Sequence, residues 1–260
     1  MRYLKKVCIL GFLAQSSFPA AHVTLMAVNK CIETDMKFRL IETGVELIEI
    51  PNCERLHSAV SGHPDMQLAH ISENILICHP NFPKELVDSL RKRGFEVYFG
   101  DTVLNDQYPF DIAYNVAIIG KAAFHNAKYT DPVIKKFLHR HSIRLHHVNQ
   151  GYAKCSVLPV TPESIITADC TIAKAAMDAG YDVLLIPPQR SIQLPGFDYG
   201  FIGGTAGFID KGKLVFAGNI EHLESKDAII RFLKKYGVGW VNLHKEKIVD
   251  YGGFLPLYER

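Results

Sequence analysis

Ile172-Ala-Lys-Ala-Ala-Met-Asp-Ala-Gly180, followed directly by Tyr181-Asp-Val-Leu-Leu-Ile186, is the stretch whose reading decides the fold. Its first nine residues follow a helical period and stop at a glycine, the residue that most easily takes the positive φ of a helix C-cap. The next six form an apolar strand. Four further copies of this helix–small residue–strand unit stand along the chain. They are Met36–Gly44 with Val45–Ile50, Glu85–Gly94 with Phe95–Phe99, Val133–Ser142 with Ile143–Val148, and Ala228–Gly237 with Val238–Leu243. The spacing is roughly 40–55 residues, the range of propellers and arrays. The helices are amphipathic: Leu86, Val87 and Leu90 oppose Asp88, Arg91 and Lys92, and Ile229, Ile230 and Leu233 oppose Arg231, Lys234 and Lys235. The strands that follow are short and rich in Val, Ile and Leu, which predicts that they are buried.

Working outward, each unit continues with a polar turn and two more apolar segments, such as Ser61–Ile71 then Ile75–Cys78, or Gln150–Val160 then Ser164–Thr167. The fifth unit ends at Val249–Leu257 without its last strand. His22–Val28 is expected to supply it, closing a ring that leaves no open sheet edge. The expected architecture is a single-domain α/β, five-bladed propeller over residues 22–260. It consists of five ββαβ-type repeats around a pseudo-fivefold axis, with residues 1–21 as an extension. The alternative is a mixed open sheet with helices on its faces.

Composition narrows the functional classes. A chain of 260 residues with 48% hydrophobic content buries a large core without disulfides. The net charge of +2 is spread along the chain and gives no electrostatic footprint for nucleic acid. The six cysteines show no CxxC pairing, which suits a reducing, cytoplasmic setting. Arg2, Lys5 and Lys6 before the apolar run Val7–Ala14, with Ala20-Ala21 downstream, outline a signal peptide. If residues 1–21 act as one, the protein is secreted. That run is far below the ~20 residues needed to span a bilayer, so no membrane partner is expected.

The turns differ where the helices and strands agree. They carry His63 and Asp65, Asp111, Lys154 and Cys155, Asp198, and Asp250. In a radial array these turns converge near the axis. A cysteine, a histidine and several carboxylates suit covalent catalysis at a cationic carbon, in which the thiolate attacks, the imidazole moves protons and the carboxylates clamp the cation. Each residue has a plainer reading. Cys155, before Ser156-Val-Leu, reads equally as a small hydrophobe in a buried strand, where Lys154 would point to the opposite face. Gly62-His63-Pro64-Asp65 has turn composition, and Asp111 and Asp198 suit loop capping. Gly203-Gly204 marks a bulge or a tight backbone approach. His139, His141, His146 and His147 lack the ligand spacing of a metal site, and no Gly-rich loop opens a helix, so neither metal nor cofactor is expected.

Taken together, these segments resemble the pentein superfamily of guanidino-group-modifying enzymes, which includes arginine, agmatine and peptidylarginine deiminases. Gly62-His63-Pro64-Asp65 is similar to its Gly-His-x-Asp motif, and Phe197-Asp198-Tyr199 to the segment bearing another guanidinium-binding Asp. Gly151-Tyr-Ala-Lys-Cys155-Ser resembles the segment that delivers the nucleophilic Cys. Ile248-Val-Asp250-Tyr-Gly-Gly253 resembles the acidic Gly-Gly segment. Read cyclically from Asp198, the order of these segments matches the family's, which implies a circular permutant. The resemblance implies a ring of five units and a cysteine-dependent hydrolase of a guanidine or amidine. Cys155 would be the nucleophile, His63 the acid/base, and Asp65 and Asp198 the guanidinium ligands. Asp111, Asp250 and Lys154 are further candidates to contact the substrate, and the reading leaves room for a homodimer. The alternative is a non-catalytic pentein-fold protein that binds a ribosomal subunit or a cationic small molecule.

Overall fold

A computed structural model describes residues 11–260; the part of the signal-like outline within residues 1–10 lies outside them. All five helices form where the apolar period places them: Thr34–Glu42, Lys84–Lys92, Pro132–Arg140, Cys170–Asp178 and Lys226–Lys235. Asp131 and Asp169 cap two of them, each accepting from two backbone amides of the first turn. Beyond the helix ends, Gly44, Gly94, Gly180 and Gly237 have positive φ, and Ser142 adopts the same conformation at 55°. The unit lacking glycine therefore ends its helix like the others.

Each helix leads into a strand that lies parallel to the middle strand of a small sheet. In the unit containing Ile172–Ile186, Val157–Thr161 pairs antiparallel with Ser164–Thr167, which pairs parallel with Asp182–Leu185. The same order recurs in the sheets Leu68–Ser72, Ile75–Cys78, Glu96–Phe99 and Ala117–Ile119, Ala122–His125, Arg144–His147. It recurs again in Ala206–Asp210, Lys213–Phe216, Gly239–Asn242. In the fifth, Leu255–Glu259 pairs antiparallel with Val23–Asn29, which pairs parallel with Glu46–Ile50. Val23–Asn29 thus completes the unit that Leu255–Glu259 begins. The result is a mixed α/β fold of several small sheets. A sixth, two-stranded sheet joins Ile192–Gln193 to Ile248–Val249.

One expectation is corrected. The strands after the helices are not buried: Glu96–Phe99 and Arg144–His147 are largely exposed or half-buried, whereas the middle strands Ile75–Cys78 and Ser164–Thr167 are fully buried. An apolar run at the outer edge of a sheet has a partner on one side only, and its composition does not reveal that. Residues before the expected boundary at 22 also join the sheet that closes the fold. Gly11–Phe12 pairs with Tyr258–Glu259, and Leu13 is fully buried.

Candidate active site

In three units the residues before the inner strand form a helical turn. These are Pro64–Gln67, Ala153–Ser156 and the 3-10 turn Ile202–Thr205. Proline at the first helical position fixes φ where no amide donor is needed, so His63 takes the N-cap position and Asp65 lies in the turn behind it. Cys155 and Lys154 also lie on a helical turn and not in a strand, so the alternation expected to separate them does not apply.

The turns bearing Asp65 and Cys155 are pinned by Asn115, which is fully buried. Its side-chain oxygen accepts from the amides of Lys154 at 2.8 Å and Cys155 at 3.2 Å. Its amide nitrogen lies 3.1 Å from Cys155 Sγ and donates to the Asp65 carbonyl at 3.3 Å. Asp250 is held as firmly, accepting from the amides of Phe201 at 2.8 Å and Gly252 at 3.0 Å. Gly204 lies so close that a Cβ there would overlap the Asp250 carboxylate, so the Gly203-Gly204 pair does mark a tight backbone approach. Gly252, at φ +78°, is pressed against His63 in the same way.

Within this frame Cys155 Sγ donates to Asp65 Oδ2 at 3.0 Å, and His63 Nδ1 lies 3.8 Å from Asp250 Oδ1. One donor atom each from His63, Asp65 and Cys155 fall within 4.8 Å of one another. Among the described residues this is the one group of three such side chains near enough to share a metal ion. Cys155, His63, Asp65 and Asp250 are all buried, yet His63 Nδ1 and Asp65 Oδ1 have no hydrogen-bond partner. Burial first, and then the charges of Asp65 and Asp250, push the Cys155 thiol well above its ordinary pKa. Burial also raises Asp65 to about 6, against the opposing pull of His63 and Lys154.

A cavity of about 250 Å³ opens onto Cys155, His63 and Asp250, walled by Val60, Leu194, Tyr152, Phe197, Tyr199 and Phe201. Asp198 lines it too, but from an exposed position, so it is not gathered with the buried group. Asp111 does not line the cavity: one of its oxygens accepts the Tyr152 hydroxyl at 2.5 Å, placing it behind that ring. Lys154 is buried beside the cavity without lining it. A second cavity of about 410 Å³ meets the first at His63, Leu194 and Asp250. Sequence reading missed Asn115 and Tyr152. The available signal for Asn115 was a lone amide between Tyr114 and Val116, in a unit without a nucleophile or histidine motif.

The family model described as Family of unknown function (DUF6873) matches residues 27–255. No curated protein matches the chain. Among solved structures, the inosamine-phosphate amidinotransferase StrB1 from Streptomyces griseus superposes with a TM-score of 0.57 at 13% identity, over 95% of this chain and 97% of that one. An adduct of dimethylarginine dimethylaminohydrolase with 4-chloro-2-hydroxymethylpyridine gives 0.53 at 9% identity, covering 85% and 92%. SxtG, an amidinotransferase from Microseira wollei, gives 0.50 at 13% identity, covering 88% and 90%. These are pentein proteins, and likeness at such identities concerns the fold.

Proposed function

The chain belongs to the family DUF6873 and has the pentein fold, and from that premise we propose that it is a cysteine-dependent hydrolase of a small guanidine or amidine. The observation that carries this reading is the gathering of the Cys155, His63 and Asp65 donor atoms within 4.8 Å, with Cys155 and His63 at the end of one cavity and Asp65 buried behind them. The buried, unpartnered Asp65 oxygen suits an N–H donor of a cationic head group. Binding that cation supplies positive charge that opposes the burial and the Asp65 and Asp250 charges holding the Cys155 pKa up. The thiol proton passes to His63, and the thiolate attacks the guanidinium carbon, forming a C–S bond. A C–N bond breaks as His63 protonates the departing amine, leaving a thiouronium on Cys155. Water, deprotonated by His63, adds to the same carbon, the C–S bond breaks, and a urea is released with the thiolate restored. The larger cavity on the other side of His63, lined by Asn29, Asn52 and Ser58, offers that water a polar approach. Asp250 steadies the imidazolium across 3.8 Å, and Asp198 meets substrate at the mouth.

The proposal extends to architecture and setting. The five helix-linked sheets are the blades of a propeller. The cyclic order Asp198, Asp250, His63 and Asp65, then Cys155 supports a circular permutation. Described cysteines Cys31, Cys53, Cys78, Cys155 and Cys170 are all free, which favours the cytoplasm. The test is labelling by 2-chloroacetamidine, an amidine small enough to need only the head-group site. It should alkylate Cys155 selectively, and Cys155→Ser should fold normally yet release no urea from any guanidine. Turnover retained by Cys155→Ser would sink the hydrolase reading. A second reading, a binder of a cationic ligand without turnover, is favoured by one observation: Cys155 Sγ lies 3.0 Å from Asp65 Oδ2 as its donor, where burial pushes the thiol pKa well up. Inert Cys155 with intact guanidinium binding is its signature.

A further inference from the structure

The floor of the Cys155 cavity is polar, but its walls are not, and the contrast restricts the substrate. Val60 and Leu194 are buried aliphatic side chains on the wall. Tyr152 and Phe201 present nearly parallel rings with centroids 6.2 Å apart and form a continuous aromatic surface. Tyr108 extends that surface outward, its ring 5.8 Å from Tyr152. Phe197 stands at the mouth and is 51% exposed, an unusual position for so large an apolar side chain unless something covers it. Among the described residues no lysine or arginine lines this cavity, and the charged carboxylates that do are Asp198 and Asp250.

We propose that the substrate is a guanidine or amidine whose substituent is apolar, an aromatic ring or a branched alkyl group, and which bears no carboxylate. This rests on the hydrolase reading for the identity of the head group and goes beyond it in naming the tail. A substrate carboxylate would leave water for walls that offer it no cation, with the like charge of Asp198 at the rim. An apolar tail instead removes the surfaces of Phe197, Phe201 and Leu194 from water. The volume is adequate: a cavity of about 150 Å³ lined by apolar side chains holds benzene. The 250 Å³ here therefore leaves space for a guanidine head beside such a ring. Tyr152 is kept facing the cavity by its hydrogen bond to Asp111, which gives that buried carboxylate a positioning role at one remove from substrate.

The experiment is a thermal-shift titration of the full chain with benzylguanidine, methylguanidine and 4-guanidinobutyrate, which reads binding whether or not Cys155 turns over. Benzylguanidine should bind at least about tenfold more tightly than either of the others, the discrimination an apolar pocket gives to added hydrocarbon. Phe197→Ala should remove most of that preference, weakening benzylguanidine about tenfold more than methylguanidine. Equal or tighter binding of 4-guanidinobutyrate, or a benzylguanidine preference untouched by Phe197→Ala, overturns the assignment. The two proposals fail separately. Chloroacetamidine labelling of Cys155 with no benzylguanidine preference removes the apolar tail alone, whereas benzylguanidine preference with an inert Cys155 removes the hydrolase alone.

Discussion

Asp65 is where stability and function pull apart. Its carboxyl is fully buried, and burial lifts its pKa from 3.8 to about 6. A carboxyl whose folded pKa exceeds its unfolded one binds its proton more tightly in the fold. Its contribution to stability is therefore complete below about pH 4 and is lost as pH rises through about 6. The shift corresponds to something on the order of 3 kcal/mol withheld from the fold at neutral pH. Asp65→Asn should melt higher than the native protein at pH 7.5 and lack this part of the fall in melting temperature between pH 4 and 6. The same change should abolish guanidinium binding, and in the native protein that binding should weaken as pH drops through 6. Melting curves from pH 4 to 8, with and without methylguanidine, check both. If the asparagine variant kept the native pH slope, the burial argument would be wrong. His63, Asp65 and Cys155 were legible in the sequence because their chemistry is local: a Gly-His-Pro-Asp turn and a cysteine at an equivalent turn. Nothing local distinguishes Asp250, buried beside His63, from Asp198, exposed at the mouth. That difference is made by Gly204 and by the amides of Phe201 and Gly252, which reach Asp250 alone.

At the scale of elements, the short turns matter more than the helices that make the repeat visible. The helices were legible because an apolar stripe and a small C-terminal residue determine them within about ten residues. Ala153–Ser156 and Pro64–Gln67 are too short to hold themselves, since a single helical turn is costly to nucleate. Asn115 holds both, across 40 residues in one direction and 50 in the other. Contacts at that separation leave no periodic trace, so the clamp was invisible while its clients were not. Asn115→Ala would strip the Cys155 amide of its side-chain acceptor in a dry site, while the Lys154 amide keeps the Asn115 backbone carbonyl at 3.2 Å. Leaving buried donors unpaired in this way costs about 1–3 kcal/mol. The expected outcome is a destabilised but folded protein in which both guanidine turnover and guanidine affinity fall, because the turns bearing Cys155 and Asp65 each lose an anchor. Urea melts paired with kcat and KM measurements separate these effects. A variant that loses stability with unchanged kcat would show that the clamp serves packing only.

The whole molecule is organised by how its ends meet. Val23–Asn29 completes the sheet begun by Leu255–Glu259, Gly11–Phe12 extends that sheet on its other edge, and the Arg260 amide donates to the His22 carbonyl at 2.8 Å. A fold in which residues 11–29 adjoin residues 255–260 is free, in principle, to begin in any unit, because the contacts that stabilise it do not depend on where the backbone is cut. This is the physical basis for reading the order of the site residues cyclically. It can be tested directly. Joining Arg260 to Gly11, which pairs beside Glu259, and opening the chain between Pro187 and Pro188, both exposed, makes a protein that starts with the Asp198 unit and ends with the Cys155 unit. No sheet pairing and no hydrogen bond of the site crosses that cut, so the reordered chain should fold cooperatively and keep Cys155 as the residue alkylated by chloroacetamidine. Opening instead inside the Leu255–Glu259 strand interrupts the pairing that unites the ends and should abolish folding. If both rearrangements failed alike, the units would not be interchangeable starting points, and the cyclic order of Asp198, Asp250, His63 and Cys155 would lose its meaning.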